Sequence, residues 1–167
     1  SKKIALGLVA LGVNPGDRVS VIANTCLEWI LVDMGILWSG AVTVPIYPSN
    51  LPAECQYVVE NSDSTVVFAE DADQVEKFVA ERERLPGVKK IVQMTGEINA
   101  DKDWVIHWDE LCALGGEESV LDERRASLNK DSILTIIYTS GTTGRPKGVV
   151  TTHGAMLYEA DAIKGLA

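Results

Sequence analysis

Four β-branched runs constrain this chain more than any other feature: VSVIA (19–23), AVTVPIY (41–47), TVVFAE (65–70) and VKKIVQM (88–94). Each is parted from the next by a stretch long enough for one helix. Parallel strands need a crossover of that length, so the alternation predicts an α/β fold, a parallel sheet layered with helices on both faces. The intervening stretches carry helix signals of their own. SKKIALGLVALGV opens on an apolar stripe of Ile4, Leu8 and Leu11, and the turn PGDR (15–18) delivers the first run. Thr25 with Glu28 fits a capping box for a helix over 26–39 that is apolar on nearly every side, as a helix packed between layers would be. Pro52 opens a helix to about Asn61, and Asp71 with Gln74 caps another, with Val75, Phe78 and Val79 inward and Arg82 snorkelling. Pro45 implies a bulge or an edge at the end of the second run.

Beyond residue 96 the character changes. Residues 97–130 form an acidic connecting segment in which nine carboxylates between Glu97 and Glu123 stand against Lys102 alone, the pattern of a solvated rim. Within it WVIHW (104–108) alternates as a short strand, and Asp109 could cap a brief helix through Leu114. Residues 131–167 then read as strand, loop, strand and helix start. SILTIIYTS (132–140) is a buried-strand candidate, GVVTT (148–152) a second strand, and Thr152 the N-cap of a helix beginning HGAMLYEA.

With 167 residues, 46% of them hydrophobic, the chain can bury the core of one domain. Its formal charge of −9 argues against a nucleic-acid partner, which calls for a basic face. Cys26, Cys55 and Cys112 are odd in number and widely spaced, which suggests neither a disulfide framework nor a zinc site and sets a reducing cytoplasm as the expected setting. The apolar window 29–47 contains Asp33, Gly40 and Pro45 and reads as helix then strand, not as a transmembrane segment. Peripheral membrane contact and oligomeric state stay open. With no initiator Met and no clear C-terminal cap, the chain is expected to be a piece of something longer.

Between the last two strands lies YTSGTTGRPKGV (138–149). Glycines let backbone N–H groups approach an anion, and lysine supplies a compensating charge, so phosphate is the natural ligand; an ordinary Gly, Ser and Pro turn is the plain alternative. A Walker A loop is disfavoured, because that motif runs from its lysine and hydroxyl straight into a helix, whereas Lys147 is followed by Gly148 and a strand-like run.

The unbroken string of Thr139, Ser140, Gly141, Thr142, Thr143, Gly144, Arg145, Pro146, Lys147 and Gly148 after an apolar strand resembles the phosphate-binding signature of the adenylate-forming superfamily: acyl-CoA synthetases, peptide-synthetase adenylation domains and luciferases. The segment GAVTVPIYPS (40–49) most resembles long-chain fatty-acyl-CoA synthetases. The resemblance implies an incomplete N-terminal subdomain of the acyl-CoA synthetase-like fold, with residues 1–96 as its alternating part. It implies a two-step ligase that uses ATP with Mg2+ to turn a carboxylic acid into an acyl-adenylate and then transfers the acyl group to coenzyme A.

In that reading Thr139, Ser140, Gly141, Thr142, Thr143 and Gly144 bind ATP phosphates through hydroxyls and amides, and Lys147 holds pyrophosphate as the catalytic cation. Charge-assisted contacts of this kind contribute roughly 1.5–3 kcal/mol each. The magnesium-binding glutamate, ribose-binding aspartate and C-terminal-domain lysine of the family lie beyond the matched region, so the 167 residues alone are expected to be inactive. An aryl or amino acid substrate, and a non-catalytic nucleotide-binding or interaction role, are the alternatives. His107 and His153, the three cysteines and the four tryptophans read as capping or packing residues rather than catalytic ones.

Overall fold

The computed structural model describes residues 1–139 and 145–164. In chain order these form α1 (Lys2–Ala10), β1 (Arg18–Ile22), α2 (Leu27–Trp38), β2 (Val42–Ile46), α3 (Pro52–Asn61), β3 (Ser64–Ala69), α4 (Ala72–Val79), β4 (Lys90–Gln93), β5 (Val105–His107), α5 (Trp108–Ala113), α6 (Ser119–Ser127), β6 (Ile133–Thr139), β7 (Lys147–Thr152) and α7 (His153–Lys164). The strands make one sheet in the order β5-β4-β3-β1-β2-β6-β7. All neighbours are parallel except β6 and β7, which pair antiparallel. The expected α/β class is the observed one.

Right-handed crossovers decide which helix covers which face. From β1 the chain steps one way along the sheet to β2, and from β2 it steps back past β1 to β3, so α2 and α3 lie on opposite faces. Alternate residues of each strand then enter different cores. Val19, Val21, Val66, Phe68 and Val92 pack under α1, α2 and α5. Ile22, Val44, Ile46, Val67, Ala69 and Ile91 pack under α3 and α4. Such two-sided burial explains why the runs are continuously apolar instead of alternating. The close approach of α1 to α2 needs Gly35, where a Cβ would stand 2.7 Å from Ile4 Cγ2.

Several local expectations change. The cap of α2 is Cys26, whose Sγ accepts the Trp29 N–H at 3.4 Å, one residue after Thr25. The outer stripe of α2 is uncovered among the described residues, with Leu27 65% exposed and Ile30 49%. α2 thus covers one face and is not sandwiched. β6 is likewise half-exposed, because among the described residues no helix lies over Ile133 and Ile137. His107, not Asp109, caps α5: its Nδ1 accepts the Asp109 N–H, and its own N–H donates to Glu110 Oε2. Arg82 lies past the end of α4, stacked 4.9 Å over the Trp104 ring and paired with Asp101. Asp71 caps α4 as expected, accepting the Gln74 N–H at 3.0 Å.

Pro45 sits in an interior strand, not an edge. Val42 N–H donates to Asp17 O on the β1 side, so by strand alternation the nitrogens of Thr43 and Pro45 face β6. There the ladder is limited to Thr43 against Thr135, and the proline removes no bond that the pairing uses. Side chains reinforce this short seam. Thr135 Oγ1 donates to Thr43 O at 2.8 Å, and Thr43 Oγ1 donates to Asp33 Oδ1 at 2.7 Å.

Burial raises the Asp33 pKa, opposed by the Thr43 hydrogen bond. A raised folded-state pKa means the protonated form is favoured on folding: this stability is full below the ordinary carboxyl pKa and is lost as pH rises through the raised one. Asp33→Asn keeps the acceptor without the charge. It is therefore expected to raise Tm at neutral pH by roughly 1–3 °C, with the gain vanishing in acid, as pH-dependent melting would read.

Candidate phosphate-binding site

The signature lies on the hairpin between β6 and β7. Because β6 runs parallel to β2, its last residue, Thr139, stands at the carboxyl edge of the parallel sheet, the side on which open α/β sheets take their ligands. The chain returns in β7, whose first residue, Lys147, pairs directly with Thr139. Directly opposed antiparallel residues have Cα atoms about 4.5–5.5 Å apart, so one hydroxyl and one ammonium flank the mouth of the loop. Both residues are exposed. Ser140, Gly141, Thr142, Thr143 and Gly144, the remaining expected ligands, lie outside the described residues.

Gly148 has a packing reason for its place in the motif. A Cβ there would stand 2.7 Å from Ile136 Cγ2 and 3.3 Å from the Tyr138 ring, so a side chain would push the two strands apart just behind Lys147. Lys147 leads into strand β7, so no helix N-terminus stands directly behind the lysine as it would in a Walker A loop. α7 begins only after β7, with Thr152 Oγ1 accepting the Ala155 N–H at 3.2 Å as the sequence suggested.

α3 meets both sides of the loop. Tyr138 Oη donates to Asn61 Oδ1 at 2.7 Å, and Tyr57 Oη donates to the Pro146 carbonyl at 3.1 Å. The two tyrosine rings meet edge to face, centroids 6.3 Å apart, and the Arg145 guanidinium lies 5.3 Å over the Tyr57 ring. Burial first, then the neighbouring Tyr57 and Asp63, pushes the Tyr138 pKa up, so its hydroxyl stays protonated as a donor. A cleft of about 460 Å³ opens beside this contact, walled by Glu54, Tyr57, Glu60, Arg84, Arg145 and Pro146. A second, of about 360 Å³, lies where the loops after β1 and β2 diverge, between Asn24, Trp29, Tyr47 and Ile137.

Tyr57 and Asn61 leave no usable trace in the sequence. They stand one helical turn apart on α3, far from the motif in the chain, and on a helix that also carries Glu54, Gln56 and Glu60 nothing local singles them out.

His153 opens α7, its backbone N–H donating to Ser132 O at 3.0 Å. Cys55, on the inner face of α3, is buried in the core, and burial pushes its thiol up to about 11, far from a reactive thiolate. Trp104 Nε1 donates to Val88 O at 3.0 Å, and Trp38 lies beneath Lys2 and Arg125. Among the described residues no group of three or more His, Cys, Asp or Glu could hold a metal ion. No helix of the described residues is long and apolar enough to cross a membrane.

The profile of the family described as AMP-binding enzyme matches residues 1–167. The long-chain-fatty-acid–CoA ligase FadD15 of Mycobacterium bovis is 39% identical over 165 residues, covering 96% of this chain and 26% of that protein. The long-chain-fatty-acid–CoA ligase ACSBG2 of Xenopus laevis is 32% identical over 160 residues, covering 95% of this chain and 22% of that protein. The chain thus spans 22–26% of the length of these curated relatives. The crystal structure of the anthranilate CoA ligase AuaEII in complex with anthranoyl-AMP superposes with a TM-score of 0.81 at 22% identity, over 96% of this chain and 29% of that one, a likeness of fold.

Proposed function

This chain belongs to the AMP-binding enzyme family, and from that premise we propose that its full-length parent is an acid–thiol ligase acting on a long-chain fatty acid. A carboxylate oxygen of the acid bonds to the α-phosphorus of ATP, the bond from that phosphorus to the bridging oxygen breaks, and pyrophosphate leaves. The sulfur of coenzyme A, giving up its proton to solvent, then bonds to the acyl carbon, the bond from that carbon to the phosphate oxygen breaks, and AMP leaves. The observation that carries the reading is the opposed pair of Thr139 and Lys147 at the mouth of the signature loop, on the carboxyl edge of the sheet.

In the first step negative charge moves onto the β and γ phosphates, and a fixed cation and hydroxyl that meet that charge lower the barrier. The loop residues 140–144 add amides and hydroxyls to the same anion in this proposal. Mg2+ would neutralise phosphate charge when bound; the roles assigned to this chain are binding and orienting the phosphates. The fatty-acid preference is supported by the names of the relatives at 39% and 32% identity.

Acid-dependent exchange of labelled pyrophosphate into ATP by the full-length parent tests the proposal. A long-chain fatty acid is expected to sustain exchange that short aryl acids and amino acids do not. Exchange with aryl or amino acids alone would replace the substrate class, and no exchange with any acid would remove the ligase reading. Calorimetry of this chain with ATP, AMP and pyrophosphate separates nucleotide binding from a purely structural role.

A further inference from the structure

The signature loop is held from outside itself. Its entry strand carries the buried Tyr138 one residue before its end, and its exit passes through Pro146; each side is tied to a different residue of the same helix, α3. Tyr57 and Asn61 stand four positions apart, so they stack on one face of that helix. The edge-to-face contact between Tyr57 and Tyr138 closes the bracket, so that entry, exit and helix share one packed unit. The Arg145 guanidinium lies over the Tyr57 ring, and Lys147, at the start of β7, is exposed across from Thr139.

We propose that Tyr57 and Asn61 are positioning residues that clamp the two ends of the phosphate loop and fix Lys147 opposite Thr139 before ATP arrives. The inference rests on reading the loop as the phosphate site. Apparent affinity for a ligand falls in proportion to the fraction of molecules whose site is already competent. Two hydrogen bonds to a rigid helix set Tyr138 and Pro146, the residues on either side of the loop, before binding. Loss of either tie lowers the competent fraction and raises the KM for ATP, whereas the chemical step of the bound complex stays nearly intact. The acid substrate is not gripped by this loop, so its KM should not move.

The experiment is steady-state ATP–pyrophosphate exchange by the full-length parent carrying Tyr57→Phe, which keeps the ring beneath Arg145 and removes only the hydroxyl, or Asn61→Ala, at an exposed position. Each is expected to raise the KM for ATP about tenfold, the scale of one lost hydrogen bond, with kcat and the KM for the acid within about twofold and a Tm lowered by no more than about 2–4 °C. An unchanged KM for ATP overturns the clamp. So does a joint rise in both KM values with a larger fall in Tm, which marks a merely structural role. Lys147→Ala in the same assay separates the two claims: if it cripples exchange while Tyr57→Phe does nothing, the clamp fails and the loop reading stands; if it too does nothing, the loop reading itself fails.

Discussion

Replacing Lys147 by alanine in the full-length parent is expected to slow ATP–pyrophosphate exchange by about a hundredfold or more, the scale on which one preorganised donor to transition-state charge is lost. The geometry explains the size. Lys147 opens β7 directly across from Thr139 and is exposed at the carboxyl edge of the sheet. The chain's formal charge of −9 repels ATP, so the favourable field must come from local donors, and a single ammonium is a large share of it. Lys147→Arg should recover the rate only in part, since a planar fork on a longer stem does not replace a compact point charge. Because the interaction strengthens as charge moves onto the leaving group, the loss should appear in kcat as well as in kcat/KM. An unchanged exchange rate would remove the assignment.

Phe68→Ala is expected to cost about 3–5 kcal/mol of folding stability, a large part of the roughly 5–15 kcal/mol a domain possesses. Phe68 is fully buried in β3, between β1 and β4, and fills the core under α1, α2 and α5. Strands pinned on both sides cannot move inward to close the cavity, which places the site at the costly end of such substitutions. Urea denaturation of the 167-residue chain would read the loss as a lower midpoint at unchanged slope. Tyr47→Ala, at a position 65% exposed, is the control and should change stability by no more than about 0.5 kcal/mol. Equal effects at the two positions would refute the assignment of the core.

Much of the fold is written in local patterns. The continuous runs at β1, β2, β3 and β4 mark strands buried on both faces, and Pro52 and Asp71 mark helix starts, because each signal acts through neighbours within a turn or two. Helix caps are less legible, since the residues expected to cap, Thr25 and Asp109, stand within two positions of those that do, Cys26 and His107. α6 is hidden for a different reason. Its sequence SVLDERRAS is mostly polar, and it is held by Leu121 and by Arg124, whose guanidinium donates to Val13 O at 2.7 Å and Ser39 O at 2.9 Å. Partners so distant in the chain leave no periodic trace beside the residue they hold.

By itself the sequence determined that strands and helices alternate in a parallel α/β arrangement, and that a glycine- and threonine-rich loop with Lys147 joins two apolar strands. Those facts follow from sterics, side-chain period and the chemistry of single residues. Tertiary structure alone decided that β2 lies inside the sheet in spite of Pro45, that β7 turns back antiparallel so that Lys147 faces Thr139, and that Tyr57 and Asn61 meet the two ends of that loop. Strand order and cross-chain hydrogen bonds are settled by which distant surfaces bury together at lowest free energy. That comparison spans the whole chain, and no local window of the sequence contains it.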